Sequence, residues 1–334
     1  MPLITSHITS HPDGGVSSRD PMTSKPLVSL VVPVYNEASS IAANLTVILD
    51  AAGAEDWYDL ELVAVDDGSA DASAEQLEFA ALADPRIRPI SFTRNFGKEA
   101  AVLAGLREAR GDAVIVIDSD LQHPPALIPQ MLALWRNGVY VVDAVKASRG
   151  KESFAQGLAA KAFYGLFQRF ANLNLRGHSD FKLLDRLVVD AYLALPERRH
   201  FFRGIINWAN YPSAQLPFTV AERAGGQTSW SKLKLARYAI DNLTSFSSMP
   251  LRCISWVGAG TLALGLVVGV ISLVQKLRGV GVEGFTTVNL LIIIMGGAIM
   301  LSLGVIGHYV ARLYDEIKAR PVYLVKPARK EPRE

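Results

Sequence analysis

Two long stretches without a charged residue constrain the fold of this chain more than any other feature. They run from Cys253 to Val274 and from Val288 to Gly307. Each matches the roughly 20 apolar residues that a helix needs to cross the hydrocarbon core of a bilayer. Neither stretch has a polar face, so two buried helices of a soluble protein are the less favoured alternative. The sequence therefore predicts a hairpin of two transmembrane helices, at residues 253–274 and 288–309.

The Lys and Arg residues around the hairpin predict its orientation, because positive residues favour the cytoplasmic side of a membrane. The connecting loop holds only Lys276 and Arg278. Basic residues are more numerous before the first stretch and after the second: Lys232, Lys234, Arg237, Arg252, Arg312, Lys318, Arg320, Lys326, Arg329, Lys330 and Arg333. We therefore expect a multi-pass protein of the inner (plasma) membrane, with both termini and the preceding domain in the cytoplasm.

Three shorter regions flank the hairpin and that domain. Residues 1–26 are rich in Ser, Thr, Pro and Gly, which predicts a disordered N-terminal segment. Residues 231–252 place apolar residues at helical spacing among basic ones, which predicts an amphipathic juxtamembrane helix in the interface, although a helix packed on the domain fits equally well. Residues 310–334 are predicted to be a basic cytoplasmic tail. The spacing of Gly265 and Gly269 permits close helix approach and leaves a homo-oligomer open.

Residues 27–230 alternate between two kinds of segment. Short apolar runs rich in β-branched residues predict buried strands at Leu27–Val34, Leu60–Val65, Ile87–Phe92, Ala113–Ile117 and Val139–Val145. Helical stretches lie between them, at Ser39–Ala52, Asp71–Ala81, Lys98–Ala109 and Pro125–Trp135. This alternation predicts an α/β domain with a Rossmann-like, mostly parallel sheet that helices cover on both faces. In such sheets, ligands bind beyond the carboxyl ends of the strands.

Polar residues follow four successive strands at that edge of the predicted sheet. The four groups are Tyr35-Asn36-Glu37, Asp66-Asp67-Gly68-Ser69, Arg94-Asn95-Phe96-Gly97-Lys98 and Asp118-Ser119-Asp120-Leu121-Gln122-His123. Each group alone is equally typical of a helix cap or a turn. Their shared position after consecutive strands is what indicates a binding site.

The fourth group has a clear chemical use. Asp118 and Asp120, one residue apart in a bent loop, can converge on one hard divalent cation, and the amide oxygen of Gln122 is a further candidate ligand. We expect Mg²⁺ or Mn²⁺, bridging to a substrate diphosphate. The chain has no P-loop and no G-x-G-x-x-G motif, so ATPase and dinucleotide-binding functions lose support. A net charge of +2 gives no case for nucleic-acid binding, and one cysteine excludes an internal disulfide.

The motifs occur in a fixed order along the chain. They are V-P-V-Y-N-E (Val32–Glu37), V-D-D-G-S-x-D (Val65–Asp71), R-N-F-G-K (Arg94–Lys98), D-S-D-L-Q-H-P-P (Asp118–Pro125), D-F-K-L-L-D-R (Asp180–Arg186) and a C-terminal run from Leu303 to Tyr323. This succession resembles the family-2 glycosyltransferases with a GT-A fold. Within that family it resembles dolichol-phosphate mannose synthase and the bacterial undecaprenyl-phosphate glycosyltransferases. The resemblance covers roughly Pro26 to Val325.

The resemblance implies roles for individual residues. Those expected to hold the nucleotide sugar are Pro33, Tyr35, Glu37, Asp66, Asp118, Lys146 and Arg149. Those expected to hold the metal are Asp118, Asp120 and Gln122. Asp120 and Asp180 are implied to be catalytic, with Asp180 lining the reaction centre. The acceptor phosphate is expected at Lys182 and Arg203, although Lys182 stands where relatives often have Arg, which puts a bidentate contact there in doubt.

The implied reaction is an inverting transfer of a hexose, with glucose from UDP-glucose as the first expectation, onto a polyprenyl (undecaprenyl) monophosphate. The product would be a lipid-linked sugar donor for cell-envelope glycan modification. Two alternatives stay open at this point. A processive polysaccharide synthase of the same superfamily should carry a Q-x-x-R-W motif and more spans, and neither is visible. A catalytically inactive membrane adaptor is disfavoured by the intact pair Asp118 and Asp120.

Overall fold

Two compact units account for the part of the chain that the computed structural model describes, which is residues 25–146, 178–197, 200–218, 249–279 and 284–327. The first unit contains all the described strands and the last described segment, and the second contains two long helices. Several predictions fall outside the described residues. These are the N-terminal segment up to residue 24, the amphipathic helix up to residue 248, and Arg149.

The first unit alternates strands and helices as the sequence predicts. Its strands are β1 (Leu27–Val34), β2 (Asp59–Asp66), β3 (Ile87–Ser91), β4 (Ala113–Val116), β5 (Val141–Lys146), β6 (His178–Asp185) and β7 (Ser213–Phe218). Its helices are α1 (Ile41–Ala52), α2 (Ser73–Ala83), α3 (Lys98–Glu108), α4 (Ile128–Arg136), α5 (Arg186–Ala194) and α6 (Phe202–Ala209). The predicted helix at Pro125 begins as a 3₁₀ turn, Pro125–Leu127, before α4.

The strands form one sheet in the order β3-β2-β1-β4-β6-β5-β7. Neighbouring strands are parallel except where β6 runs antiparallel to both β4 and β5. The predicted α/β class with a mostly parallel sheet is therefore confirmed. The reversed strand β6 was not predicted as a strand, and it lies between two strands that precede it in the chain.

Helices cover both faces of the sheet, which explains why the central strands are apolar throughout. In β1, every residue from Val28 to Val34 is buried. On one face, α3 lies so close to β1 that a Cβ at Gly105 would stand 2.2 Å from a methyl carbon of Val31. On the other face, α1 and α4 pack their apolar sides against the sheet. This packing holds the carboxyl ends of β1, β2 and β4 in fixed relation.

The second unit consists of α7 (Met249–Leu277) and α8 (Phe285–Ile317). Both are long and apolar enough to cross a membrane, over Ile254–Gln275 and Ile294–Ile317, a criterion of length and composition only. Large apolar side chains on both helices are exposed, Leu262 at 73% and Met300 at 69%. Both helices extend beyond the predicted spans, and α8 continues to Ile317 rather than ending at residue 309.

The chain after α8 returns to the first unit and does not remain separate from it. Thr93 donates its backbone N–H to the carbonyl oxygen of Leu324 at 2.9 Å, and Lys326 donates to that of Ser91 at 2.7 Å. Phe92 and Val325 form an antiparallel β-bridge there. The region predicted as a basic tail therefore includes the end of α8 and a segment that pairs with the sheet next to β3.

Candidate active site

The loops after β1 and β2 are joined to each other by hydrogen bonds. Asn36 donates its backbone N–H to Ser69 Oγ at 2.9 Å, and Asn36 Oδ1 accepts from the N–H of Ala70 at 2.9 Å. The N–H of Glu37 donates to Ser73 Oγ at 2.8 Å. Asn36 has φ of 54°, a left-handed conformation that asparagine tolerates well. The motifs Val32–Glu37 and Val65–Asp71 thus form one structure rather than two independent turns.

The predicted nucleotide-binding residues lie along this structure. Pro33 is buried within β1 and pairs with Val65, whereas Tyr35 projects with 47% of its surface exposed. Asp66 ends β2 and is fully buried. Its Oδ1 accepts from the N–H of Ser69 at 3.1 Å, but its Oδ2 has no hydrogen-bond partner among the described residues. A buried carboxylate oxygen without a partner costs free energy, so a ligand that donates to it would be favoured.

Asp67, the neighbour of Asp66, holds the loop after β3. Its carboxylate accepts from the N–H of Phe96 at 2.7 Å and from that of Gly97 at 2.9 Å. Burial raises the pKa of Asp67 and outweighs these two hydrogen bonds, which lower it. Gly68, at φ of 62°, lies against the Arg94 backbone, and a Cβ there would stand 2.2 Å from the Arg94 carbonyl carbon. The second and third motifs are therefore locked together through backbone contacts.

The loop after β4 carries the predicted metal ligands. Asp118 is partly exposed, Ser119 is buried and Asp120 is exposed. Asp120 Oδ1 accepts from the N–H of Gln122 at 3.1 Å, so the loop bends back on itself. Leu121 has φ of 55°, which is strained for a bulky side chain. The loop is thus held in a bent shape that directs Asp118 and Asp120 to the rim of the sheet.

Asp180 reaches the same rim because β6 is reversed. Val116, the last residue of β4, pairs with Lys182, so the start of β6 lies beside the carboxyl end of β4. Asp180 therefore stands level with Asp118, although the two residues are far apart in sequence. A search confined to residues that follow strands could not find this position, since Asp180 precedes most of its strand.

Four charged side chains meet at this point and form an ionic cluster of Lys98, Asp118, Asp180 and Arg203. Lys98 Nζ lies 2.5 Å from Asp118 Oδ1 and 2.7 Å from Asp180 Oδ2. Arg203 binds Asp180 with two groups: Nη2 donates to Oδ2 at 2.7 Å, and Nε donates to Oδ1. Burial pushes the pKa of Asp180 up, but Arg203 and Lys98 outweigh it and hold the pKa far below its usual range. Asp180 is therefore ionised in this arrangement.

Lys98 is the site residue that the sequence reasoning missed. It is the first residue of α3, directly after Gly97, whose φ is 98°. The motif Arg94–Lys98 was recognised, but no role was assigned to its lysine. The signal that could have found it is its place immediately after the third strand's loop, at the same edge as the carboxylates.

Glu99 adjoins the cluster and connects it to α6. Its Oε2 accepts from the N–H of Phe202 at 2.9 Å, next to Arg203. Burial, aided by the charge of Asp180, raises the pKa of Glu99 to about 7, against the effects of Phe202, Arg203 and Lys98. The carboxyl group thus fixes the start of α6, which carries Arg203.

Among the described side chains, the predicted residue Lys182 is not brought to the cluster. Lys182 is 1% exposed and forms an ion pair with Asp143 on the adjacent strand β5. Its ammonium group is therefore buried against a neighbouring strand and is not exposed as an acceptor-phosphate ligand would be. Lys146 ends β5, and its side chain lies outside the described part of the structure.

The donor set at the Asp118 loop fits a hard divalent cation. Carboxylate and amide oxygens are the ligands that Mg²⁺ and Mn²⁺ prefer, and Asp120 is exposed at the rim. Among the described residues, no group of three or more His, Cys, Asp or Glu side chains is placed to hold a metal ion. The predicted set contains only two carboxylates and one amide. A cation there would complete its coordination with substrate oxygens or water.

Comparisons with known proteins identify the family of this chain. A family model described as "Glycosyl transferase family 2" matches residues 29–192. An uncharacterized glycosyltransferase of Synechocystis sp. is 37% identical over 89% of this chain and 94% of its own length. A "prophage bactoprenol glucosyl transferase homolog" of Escherichia coli (strain K12) is 35% identical over 91% of this chain and 99% of its own.

Solved structures also resemble the chain. Glucosyl-3-phosphoglycerate synthase from Mycobacterium tuberculosis is 23% identical, with a TM-score of 0.45 over 66% of this chain and 80% of that one. The assignment to a family rests on the sequence relatives, which match nearly end to end. They confirm the predicted glycosyltransferase and, with the sheet, the expected GT-A fold. The chain belongs to glycosyl transferase family 2.

Proposed function

We propose that the protein transfers glucose from UDP-glucose to a polyprenyl monophosphate, with inversion at the anomeric carbon. The product is a lipid-linked glucose that serves as a donor for cell-envelope glycan modification. The single observation that carries the proposal is the ionic cluster, in which two cations stand beside carboxylates at the ligand-binding edge of the sheet. The name of the Escherichia coli relative supports the choice of glucose and of a bactoprenol acceptor.

The nucleotide half of the donor belongs to the loops after β1 and β2. Tyr35 offers an exposed aromatic face, and the buried Asp66 offers a carboxylate oxygen that needs a donor. Base and ribose both present N–H or O–H groups. We therefore assign this end of the rim, with Pro33 and Glu37 as its framework, to the nucleoside.

The diphosphate belongs to the loop after β4. Asp118, Asp120 and Gln122 would hold Mg²⁺ or Mn²⁺ together with the diphosphate oxygens. Such a cation supplies charge stabilisation to the leaving nucleoside diphosphate. Lys146 and Arg149 stay candidates for a further phosphate contact. Lys182 is left out, because its side chain is almost fully buried against Asp143.

The acceptor phosphate fits the pair of cations at the other end of the cluster. A phosphate monoester carries about −1.5 to −2 charges at neutral pH. It is nucleophilic without a strong general base, so the main obstacle is to bring two anions together. Arg203 presents a planar fork that suits phosphate, and Lys98 presents a point charge between the two substrates. Arg203 and Lys98 hold the pKa of Asp180 far below its usual range, which makes it a weak base, so we assign it the role of orienting the two cations.

A membrane location follows from the same proposal, since the acceptor is a lipid. The helices α7 and α8 are each long and apolar enough to span a bilayer. We place the protein in the plasma (inner) membrane, with both termini and the first unit in the cytoplasm. Tags at either terminus should be modified by membrane-impermeant reagents only after the cells are opened. Labelling of a terminus from the outside of intact cells would contradict this topology.

The test of function is a transfer assay with the full-length chain in membranes. Undecaprenyl phosphate is incubated with UDP-glucose, UDP-galactose, UDP-GlcNAc and GDP-mannose in parallel, with Mg²⁺ or Mn²⁺. We expect a glucosylated lipid with UDP-glucose and at least tenfold less product with the others. A preferred donor other than UDP-glucose would correct the sugar and leave the reaction class intact. No lipid-linked product with any donor would overturn the proposal in favour of a non-catalytic role.

A further inference from the structure

The segment Pro321–Lys326 has no role in the function proposed above, yet it is bound to the unit that carries the site. The strand β3 is at one edge of the sheet, where unpaired backbone groups would otherwise be open to solvent. Two backbone hydrogen bonds join this segment to residues 91–93, with the bridge between Phe92 and Val325 between them. The segment thus forms an antiparallel bridge with the residues that follow β3.

The side chain that anchors this segment is Tyr323. Its ring stacks on that of Phe92, with centroids 4.9 Å apart and planes inclined by 14°. The guanidinium of Arg107, on α3, lies 5.7 Å from the centre of the Tyr323 ring. Phe92 is fully buried, and Tyr323 packs with it against the cluster that includes Val65 and Ala104. Tyr323 therefore closes an apolar cluster between β2, β3 and α3.

The apolar cluster that Tyr323 closes extends to the loop that precedes Lys98. Phe92 contacts Phe96 edge to face, with centroids 5.8 Å apart and planes at 88°. The carboxylate of Asp67 accepts hydrogen bonds from the backbone N–H groups of Phe96 and Gly97. Lys98 follows directly and extends its ammonium group to Asp118 and Asp180. A continuous series of contacts therefore runs from Tyr323 through Phe92 and Phe96 to Lys98 in the ionic cluster.

We propose that Tyr323 is a positioning residue for the transfer reaction. By packing on Phe92 it holds the loop 93–97 against Asp67, and this loop determines where Lys98 stands between the two carboxylates. The catalytic consequence rests on the proposed function, because it assumes that Lys98 acts beside the transferred group. The structural part, that the Tyr323 ring orders the loop, is independent of which substrate is used.

The chain offers well-matched variants to separate this role from general stabilisation. Y323A removes the stacked ring, whereas Y323F keeps the ring and removes only the hydroxyl. L324A is the control, because Leu324 is in the same segment with its side chain 53% exposed, and its backbone carbonyl still accepts from Thr93. Should Y323A fail to fold, Y323L keeps apolar volume and removes the aromatic stack.

The experiment combines hydrogen–deuterium exchange with kinetics on the purified full-length protein. We expect Y323A to accelerate exchange at the Phe96 and Gly97 amides at least tenfold, with little change in β2. We expect kcat for transfer from UDP-glucose to undecaprenyl phosphate to fall at least tenfold, while KM for UDP-glucose changes less than threefold. Y323F and L324A should stay within twofold of the natural protein in both measurements.

Several outcomes would overturn the proposal. Unchanged exchange at Phe96 and Gly97 in Y323A would remove its structural basis. Accelerated exchange with an unchanged kcat would show that the loop's order does not matter to the reaction. Equal losses in L324A and Y323A would indicate general destabilisation. If the natural protein itself transfers no sugar, the proposed function fails, and the exchange measurement still decides whether Tyr323 orders the loop.

Discussion

The rim of the sheet has two halves, which are held together by different forces. At the β1–β2 half, loops are joined by hydrogen bonds between side chains and backbone, as between Asn36 and Ser69 or Glu37 and Ser73. At the β4–β6 half, the contacts are ionic, between Lys98, Arg203 and the carboxylates of Asp118 and Asp180. Phosphate groups are the ligands expected at the second half and a nucleoside at the first.

The two halves would therefore receive their ligands in different ways. Hydrogen bonds that stay inside the loops fix the shape of the nucleoside half before anything binds. In the ionic half, the carboxylates hold the cations in place and shield their charge. A phosphate would compete with those carboxylates for the same guanidinium and ammonium groups. Substitutions in the two halves should therefore affect different kinetic constants.

Asp120→Asn should reduce transfer by about 10²-fold to 10³-fold or more, the range seen when a main electrostatic contact to a developing charge is lost. The neutral amide keeps the side chain's size but is a poorer metal ligand, so the fold should persist. Product formation with excess Mg²⁺ or Mn²⁺ is the measurement. Asp190→Asn is the control, because Asp190 is an exposed residue of α5. Full activity of the Asp120 variant would contradict the metal-site assignment.

Arg203→Lys should lower transfer by about tenfold and Arg203→Ala by about 10²-fold, mainly by raising KM for polyprenyl phosphate. Lysine keeps the charge but lacks the planar fork that binds phosphate with two groups. Initial rates at varied acceptor concentration would measure this effect. Arg86→Lys, at an exposed ion pair with Asp84, should change nothing. A rise in KM for the nucleotide sugar alone would indicate that Arg203 binds the donor rather than the acceptor. It would contradict the division of the rim into two halves.

Asp66→Asn should raise KM for UDP-glucose by about tenfold, the equivalent of one hydrogen bond to a charged group, with a smaller effect on kcat. The remaining oxygen of the amide can still accept from Ser69, so the loop should keep its shape. Competition by UDP measures the loss of affinity independently of the acceptor. Asp59→Asn lies at the opposite end of the same strand and should have no effect. Unchanged UDP affinity would argue against a nucleoside at this half.

Glu99→Gln should stabilise the protein at pH 8.5 by about 1 kcal/mol, and by less at pH 5.5. The pKa of Glu99 is raised from 4.5 to about 7 in the folded protein. The folded state therefore holds the proton more tightly than the unfolded chain, and stability is lost as the pH rises through this range. Thermal unfolding at the two pH values measures the effect. Glu108→Gln, at an exposed residue of the same helix, is the control for the substitution itself, and an equal gain at both pH values in Glu99→Gln would contradict the assignment.

Regular alternation made the first half of the domain predictable from sequence. The strands β1 to β5 and the helices α1 to α4 all lie where the apolar periodicity indicated. The positions of the loops proposed to hold the metal and the nucleoside could be anticipated for the same reason, since these loops directly follow parallel strands. Local pattern and chain order carry all the information needed there.

The β4–β6 half could be anticipated only in part, because its geometry depends on pairing between distant segments. Nothing local in the motif Asp180–Arg186 indicates a reversed strand inserted between β4 and β5. That insertion brings Asp180 to the rim and puts Lys182 beside Asp143, where it is neutralised. The contact between Tyr323 and Phe92 is likewise invisible to local pattern, because a basic and proline-containing stretch resembles a tail.

The place of β6 also has a consequence for how the chain folds during synthesis. Because β6 lies between β4 and β5, these two earlier strands do not pair with each other. The four strands β3-β2-β1-β4 can assemble from residues already made, but β5 must wait until residue 185 has left the ribosome. Long-range pairing of this kind is slow and leaves strand edges exposed meanwhile. The nascent domain would thus pass through a period with an open β4 edge, and the residues that follow β3 would lack their antiparallel bridge until Val325 had been made.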